Sequence, residues 1–260
     1  MPKVNYTRRL QAEYEQLYRD CEIRPARFAT VDGLADRLVA ERGRYQAVSE
    51  TTGVPWYFIG AVHNMESGLR FDRHLHNGDP LSARTVHVPA GRPRRGEPPF
   101  RWEESAADAL RLQGLHRVRD WSLPRLLYEL ERYNGWGYRL YHPWVKSPYL
   151  WGCSNHYESG KYVADGTWSD TAVSRQCGAA VLIRRLQERG DIAPLDGPLP
   201  TTPLLYYADG VAPYGRELQR FLNGFPGIAL RVDGWPGRRT SDAVQRVFGF
   251  RLHGDPRDGG

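Results

Sequence analysis

One segment of the chain, residues 54–67 with the sequence VPWYFIGAVHNMES, carries apolar side chains almost all round a helical projection. Pro55 suits the first turn of a helix, because its fixed φ is already helical and no N–H is needed there. A helix that is apolar on every side is stable only when other elements surround it. The segment therefore predicts a central, buried helix around which a globular domain is built.

Helical spacing recurs on both sides of this segment. Residues 72–101 are different, because they are rich in Gly, Pro, Asn and Arg, and they indicate a long loop or small hairpin of the kind that is commonly functional. With 260 residues, 40% of them hydrophobic, the chain can bury a sizeable core. The pattern predicts a mainly α domain over residues 1–190, with further helices at 7–22, 29–52, 102–115, 122–138 and 169–190.

The composition changes after this domain. Residues 191–212, DIAPLDGPLPTTPLLYYADGVA, are rich in proline and have no period, so they predict a linker. Two short amphipathic helices, GRELQRFLNGF and RRTSDAVQRVFG, follow on either side of a tight turn, RVDGWPG. Residues 213–260 are thus predicted to form a small separate module, of a size that is marginal but feasible.

The net charge of the chain indicates which classes of binding partner it favours. Its formal net charge is +6, and a basic protein favours polyanions such as nucleic acid, anionic lipid or bacterial envelope polymers. Arginines are spread along the whole chain and no nucleic-acid motif occurs, so we expect no nucleic-acid partner. No apolar run reaches about 18 residues and the N-terminal segment has no apolar core, which predicts neither a membrane span nor a Sec-type signal peptide.

The three cysteines, Cys21, Cys153 and Cys177, lie far apart and form neither a CxxC motif nor a zinc-binding spacing. An odd number of dispersed cysteines predicts buried or free thiols in a chain that folds in a reducing compartment.

The module contains LQRFLN and then RVDGWPGRRTSDAVQRVFG. These segments resemble the peptidoglycan-binding domain, a three-helix module in which a Leu-Gln helix precedes V-D-G-x-x-G-x-x-T and A-V-x-x-F. Val247 stands where that family has Phe, and the first helix lacks much of its usual leader. The resemblance implies binding to bacterial peptidoglycan, although a bare helical hairpin would also fit. The matching positions are Leu218, Gln219, Leu222, Val232, Asp233, Gly234, Gly237, Thr240, Ala243 and Val244.

Two segments of the main domain carry a second resemblance. Glu66 and Ser67 end the apolar helix, and Tyr133, Asn134 and Gly135 follow later in ERYNGWGYR. They resemble the goose-type lysozyme and lytic transglycosylase superfamily, which places its catalytic Glu in a Glu-Ser pair and lines its saccharide cleft with an A-Y-N-x-G segment. The Gly-Leu-Met-Gln segment of that superfamily is absent here. The resemblance implies a lysozyme-like helical fold, with Glu66 catalytic and Ser67, Tyr133 and Asn134 at the substrate.

The chemistry of glycoside cleavage fits Glu66. The reaction needs a carboxylic acid that keeps its proton near neutral pH, and burial in apolar surroundings raises a carboxyl pKa. The alternative for Glu66 is a helix-end ion pair with Arg70 or Arg73. Asp79, in the turn sequence NGDPL, is the candidate second catalytic group, or else a turn residue. The resembled superfamily also contains transglycosylases that use a single Glu, first as the acid and then as the base, so the resemblance leaves open whether a second group is needed.

Further polar residues lie near these positions in the sequence. His63, one turn before Glu66, and Thr85, in SARTVHV, are predicted to contact the substrate. His74-x-His76 raises a zinc-dependent peptidoglycan amidase as an alternative, but there is no HExxH motif and no evident third ligand. We therefore predict no metal and no cofactor. The aromatic run at 133–152 suits both core packing and sugar stacking.

Together these features predict an enzyme that cleaves the glycan strands of peptidoglycan, as a lysozyme-type hydrolase or a lytic transglycosylase. We expect a monomer that is made in the cytoplasm without a Sec signal and reaches the cell wall in the manner of a phage endolysin. The rival prediction is a non-catalytic wall-binding protein whose lysozyme-like domain is degenerate.

Overall fold

The computed structural model describes residues 4–164, 166–195 and 205–257. The chain divides into two compact units, residues 1–197 and residues 198–260, and each has its own hydrophobic core. Over the described residues the secondary structure is mainly α, as predicted, with a single two-stranded antiparallel sheet.

The first unit consists of helices joined by long loops, and one hairpin. Strands β1 (Lys161–Ala164) and β2 (Thr167–Ser169) form the hairpin. Short 3₁₀ turns lie at Pro25–Arg27 and Leu115–Arg117. The helices are α1 (Arg8–Arg19), α2 (Phe28–Ala40), α3 (Arg42–Thr52), α4 (Trp56–Ser67), α5 (Trp102–Leu112), α6 (Leu123–Asn134), α7 (Gly137–Tyr141), α8 (Pro148–Trp151) and α9 (Ala179–Glu188).

Helix α4 is the buried centre of this unit, as its apolar sequence predicts. Every residue from Phe58 to Met65 is buried, and the helix packs against α3 and α9. Gly60 permits the close approach of a neighbouring helix, since a Cβ there would lie 2.9 Å from Leu38 Cδ2. The helix ends at Gly68, which adopts the left-handed conformation that glycine favours at this position. Glu66 therefore stands in the last turn of a buried helix.

The predicted helix at 169–190 is wrong over its first half, because α9 begins only at Ala179. The preceding residues run alongside α8 in close backbone contact: a Cβ at Gly178 would lie 2.2 Å from the Leu150 carbonyl oxygen. Smaller differences occur elsewhere. The predicted helix at 29–52 is interrupted at Glu41, and the one at 122–138 is interrupted at Gly135.

The expectation of three unpaired thiols is wrong for two of them. Cys153 and Cys177 form a disulfide, with their Cα atoms 5.0 Å apart and a separation of 24 positions in the chain. Cys21 is buried and free. The disulfide joins the end of α8 to the segment just before α9, so it explains in part why that segment is not helical.

The second unit contains the two predicted amphipathic helices, α10 (Gly215–Leu222) and α11 (Arg238–Phe248). The resemblance implies three helices, and these two are the ones within residues 205–257. The small core consists of Leu218, Leu222, Ala243, Val244 and Leu252.

The motif residues of this unit form a hydrogen-bond network around Gln219, which is only 2% exposed. Its amide nitrogen donates to Asp233 Oδ1 at 2.8 Å and to the Trp235 carbonyl at 3.0 Å, and its amide oxygen accepts from Gly234 N at 2.8 Å. Gly234 has a φ of 84°, and a Cβ at Gly215 would lie 2.4 Å from the Gly234 carbonyl oxygen. The Leu-Gln and V-D-G elements thus hold the turn against α10.

The predicted linker at 191–212 falls partly outside the described residues, at 196–204. Its last part is hydrogen-bonded within the second unit: Tyr207 N donates to the His253 carbonyl at 2.9 Å, and Ala212 N donates to the Gly234 carbonyl at 3.0 Å. Over the described part of the chain, no helix is both long enough and apolar enough to cross a membrane.

Candidate active site

Glu66 carries the chemistry of the site. The Tyr149 hydroxyl donates a hydrogen bond to Glu66 Oε1 at 2.9 Å. Burial raises the pKa of Glu66 to about 7, and the hydrogen bond from Tyr149 opposes this rise only in part. Some of the Glu66 residue remains open to solvent while its carboxyl is closely surrounded by protein. The carboxyl therefore tends to keep its proton near neutral pH, and the residue as a whole is not fully enclosed.

The ion pair that was the alternative for Glu66 does not form. Arg70 pairs with Asp72 at 2.9 Å, and Arg73 donates to the Gly78 carbonyl at 3.1 Å. Over the described residues, burial and the bond from Tyr149 are the two influences on the Glu66 carboxyl.

Two tyrosines flank this carboxyl. Tyr149 lies on α8, and Tyr133 lies on α6 with its hydroxyl donating to the Leu75 carbonyl at 3.1 Å. Burial and the negative charge of Glu66 hold the pKa of both phenols well above the ordinary value. Both tyrosines are therefore neutral hydrogen-bonding groups. Tyr133 was predicted from the YNG segment, whereas Tyr149 was missed except as one of several rings in the aromatic run.

A polar pocket of about 130 Å³ lies one side chain away from Glu66, which does not itself line it. Tyr149 both lines the pocket and bonds to Glu66, and Gln176, another lining residue, donates to the Met65 carbonyl at 3.0 Å. Asn134, predicted at the substrate, is exposed and also lines it. The lining residues are Asn134, Tyr138, Pro148, Tyr149, Lys161, Tyr162, Ser174 and Gln176.

The hairpin forms one wall of this pocket and is held by aromatic packing. Tyr138 lies edge-on to Tyr162, with ring centroids 5.5 Å apart, and His142 stacks on Trp168 at 3.5 Å. Gly137 leaves room for this contact, since a Cβ there would lie 3.2 Å from the Tyr162 hydroxyl oxygen. Much of the aromatic run at 133–152 is therefore used to fix the hairpin against α7.

The segment before α9 contributes Ser174 and Gln176 to the lining of the pocket and is itself held in place. Asn64 donates from its side-chain amide to the Cys177 carbonyl at 3.3 Å, one residue beyond the bond that Gln176 makes to α4. The disulfide to Cys153 fixes the same segment. No local sequence signal points to Gln176, because its position depends on contacts with residues far away in the chain.

Asp79 lies in the loop that follows α4, 6% exposed, and its carboxylate is fully engaged. It accepts hydrogen bonds from Val86 N at 2.8 Å and His87 N at 3.0 Å, and Oδ1 lies 2.7 Å from His87 Nδ1. Burial alone would raise the pKa of Asp79, but these bonds outweigh it and lower the pKa to about 2. Asp79 organises the loop, and its carboxylate has little capacity left to activate water.

The loop meets the site at Gly78, where a Cβ would lie 3.2 Å from the Glu66 carbonyl oxygen. Thr85, predicted at the substrate, is 3% exposed and accepts from Arg92 N at 2.9 Å, so it shapes the loop from within. The Ser67 hydroxyl donates back to the His63 carbonyl at 3.3 Å and remains partly exposed.

His63 belongs to the core. It is 0% exposed, its Nδ1 lies 3.0 Å from the Tyr45 hydroxyl, and its ring centroid lies 4.6 Å from those of both Phe71 and Trp102. Burial lowers the pKa of His63 to about 4, so the ring is neutral. A side chain without open surface cannot contact a saccharide, and we assign His63 a packing role.

The histidines that raised the zinc alternative are hydrogen-bonded to α5 and to their own loop. His74 lies 2.7 Å from Ser105 Oγ and 2.8 Å from the Ala83 carbonyl through its two ring nitrogens, and His76 Nε2 lies 2.9 Å from Asp108 Oδ2. Among the residues that the structure describes, no group of three or more His, Cys, Asp and Glu side chains is arranged to hold a metal ion.

The arrangement is suited to general acid catalysis. A carboxyl that keeps its proton near neutral pH stands beside two neutral phenols and an open polar pocket. Comparison of the chain with protein-family models, curated proteins and solved structures found no match.

Proposed function

We propose that this protein cleaves the glycan strands of bacterial peptidoglycan, with Glu66 as the general acid. The observation that carries this proposal is a carboxyl with a pKa of about 7 at the end of a buried helix, beside an open pocket. An acid with a pKa close to the working pH combines a large protonated fraction with a strong tendency to transfer its proton. The glycosidic oxygen of a bound strand would receive that proton.

The surroundings of Glu66 support this role. Tyr149 donates to Oε1, and Oε2 has no hydrogen-bond partner among the described residues. The transferable proton can therefore reside on Oε2 and face the substrate, while Tyr149 keeps the carboxyl in one orientation. Tyr133, neutral and hydrogen-bonded to the loop, is close enough for the charge of Glu66 to raise its pKa.

The lack of a second carboxylate influencing Glu66 among the described residues favours the transglycosylase form of the reaction. Glu66 first protonates the leaving oxygen, and the carboxylate then takes the proton of the sugar's own C6 hydroxyl. The C6 oxygen bonds to C1 as the glycosidic bond breaks, which gives a 1,6-anhydro ring without consuming water. A hydrolase would instead need a base to position water. The Asp79 carboxylate is already hydrogen-bonded to backbone N–H groups of its own loop.

The choice of peptidoglycan as substrate is supported by the second unit. Residues 213–260 resemble the peptidoglycan-binding domain, and the buried network around Gln219 uses the residues that carry this resemblance. The net charge of +6 also favours an anionic polymer.

The test compares the parent protein with Glu66→Gln on purified peptidoglycan. We expect turnover to fall by roughly two or more orders of magnitude, because the amide has no proton to transfer. Glu158→Gln makes the same substitution at a side chain that is 87% exposed and away from the site, and it should retain activity. A well-folded Glu66→Gln protein that still lyses the wall would overturn the proposal.

Mass spectrometry of the released fragments identifies the reaction. Fragments with 1,6-anhydro ends indicate a transglycosylase, and fragments with reducing ends indicate a hydrolase. Cleaved peptide amides would contradict both and favour an amidase. No cleavage, with retained wall binding, would favour the non-catalytic alternative.

A further inference from the structure

Among the described residues, the pocket near Glu66 is lined by one cation, Lys161, and by no carboxylate. Lys161 is the first residue of β1 and is half-buried, and its ammonium has no ion pair or hydrogen bond among the described residues. Lys146, by contrast, pairs with Glu13 at 3.2 Å. A lysine without a partner in a concave polar pocket is available to bind an anion.

The other polar groups of the pocket suit an anionic ligand of small size. The side chains of Asn134, Ser174 and Gln176 line it and are neutral, so they can donate hydrogen bonds to an anion without competing for the ammonium. The pocket is also built in advance, because aromatic packing holds the hairpin that carries Lys161. The backbone from which the Lys161 side chain extends is therefore fixed without a ligand.

The position of the pocket ties the anion to the reacting strand. Tyr149 lines the pocket and also donates to the Glu66 carboxyl, so the two lie within one side chain of each other. A group bound at Lys161 would therefore belong to a sugar close to the bond being cleaved. In peptidoglycan, the muramyl sugar carries a lactyl ether that bears a peptide with free carboxylates, whereas the alternate sugar carries none.

We propose that Lys161 binds a carboxylate of the peptide carried by the muramyl sugar, and so selects the peptide-bearing strand and sets its register at Glu66. This inference rests on the proposed function. Its specific content is that the recognised group is a carboxylate and that the recognising residue is Lys161.

The test uses one peptidoglycan preparation in two forms, native and with its carboxylates converted to amides. We expect the parent protein to cleave the amidated form roughly tenfold more slowly, the size expected for a lost charged hydrogen bond. Lys161→Gln should cleave the native form about as slowly as the parent cleaves the amidated form, and should not distinguish the two forms.

Arg175→Gln is the matched control. Arg175 is exposed, lies one residue from Gln176 and does not line the pocket, so its loss removes the same charge from the same region. This variant should keep the parent's preference for the native form. If Arg175→Gln loses as much of the preference for native peptidoglycan as Lys161→Gln does, the effect is general attraction to a polyanion and the inference is overturned. A Lys161→Gln protein that keeps the parent's preference overturns it as well.

A binding measurement tests this inference independently of the proposed function. In the Glu66→Gln background, a soluble disaccharide-peptide should bind roughly tenfold more weakly when Lys161→Gln is added, and amidation of the ligand should remove that difference. If the parent cleaves neither form of the wall, the proposed function fails, and the binding measurement still decides whether Lys161 recognises the carboxylate. Equal binding with and without Lys161 overturns the inference.

Discussion

Glu66 imposes a cost in stability that follows from its environment. Burial raises its pKa from 4.5 to about 7. Below pH 4.5 the carboxyl is protonated in both the folded and the unfolded chain, so it has no effect on the pH dependence. Between the two values the unfolded chain releases the proton more readily, and the free energy of unfolding falls as pH rises. Groups kept in such unfavourable positions are concentrated at functional sites.

Glu66→Gln should remove this pH dependence. The free energy of unfolding of the variant, relative to the parent, should rise between pH 4.5 and about pH 7.5 by on the order of 3 kcal/mol, because each pKa unit corresponds to about 1.4 kcal/mol. Denaturant unfolding of both proteins at several pH values measures it. A difference that stays constant with pH would mean that the carboxyl is not buried as described.

Tyr149→Phe should move the pH dependence of turnover. A general acid works in its protonated form, so activity falls as pH rises through the pKa of Glu66. The bond from Tyr149 lowers that pKa, and its removal should shift the alkaline midpoint upward by roughly half a unit to one unit. Turnover below the midpoint should also fall, because the carboxyl loses its fixed orientation. Tyr141→Phe, at a residue 62% exposed, should leave the profile unchanged.

At the scale of elements, the sequence predicts those helices and turns that are determined by residues close together in the chain. The apolar pattern at 54–67 identified α4 as central, and turn chemistry offered a structural role for Asp79. The start of α9 was missed, because Ser169 and Asp170 look like helix caps while the disulfide and the backbone contact at Gly178 override them. Lys161 and Gln176 reach the site from distant segments, and no local pattern encodes such contacts.

The prediction that His63 contacts the substrate also depended on a local pattern, its spacing from Glu66. A residue three positions before Glu66 lies on an adjacent face of the helix, which suggested a shared cleft. Because α4 is surrounded by protein, that adjacent face meets Phe71 and Trp102 instead of solvent. Helical spacing gives the direction of a side chain, and only the tertiary packing decides what occupies that direction.

Removing the disulfide should weaken both the fold and the site. A loop closed over 24 residues contributes about 3 kcal/mol by limiting the unfolded chain. Replacing Cys153 and Cys177 by Ala should lower the melting temperature and reduce lytic turnover several-fold, because Gln176 loses its fixed position against α4. Reductant should lower the melting temperature of the parent and of Cys21→Ala alike. A melting curve of the parent that reductant does not change would contradict this prediction.

At the scale of the whole molecule, the two units have separate cores, and this separation predicts which fragments fold. The second unit needs more than residues 213–260, since Tyr207 and Ala212 donate backbone hydrogen bonds within it. A fragment beginning at residue 198 retains these bonds, and one beginning at residue 213 loses both. We expect the longer fragment to melt cooperatively and the shorter one to be markedly less stable.

The fragments also separate binding from cleavage. Residues 198–260 alone should sediment with insoluble peptidoglycan, and binding should persist at raised salt, since simple attraction between exposed charges would be screened.

Residues 1–197 alone should cleave soluble glycan fragments at the rate of the full chain, because Glu66, Tyr149 and the pocket all lie within this unit. On intact walls this fragment should be slower, because it lacks the unit that keeps the enzyme at an insoluble surface. Equal rates of the fragment and the full chain on intact walls would show that the second unit has some other task, and loss of cleavage on soluble fragments would show that the first unit is not a complete catalyst.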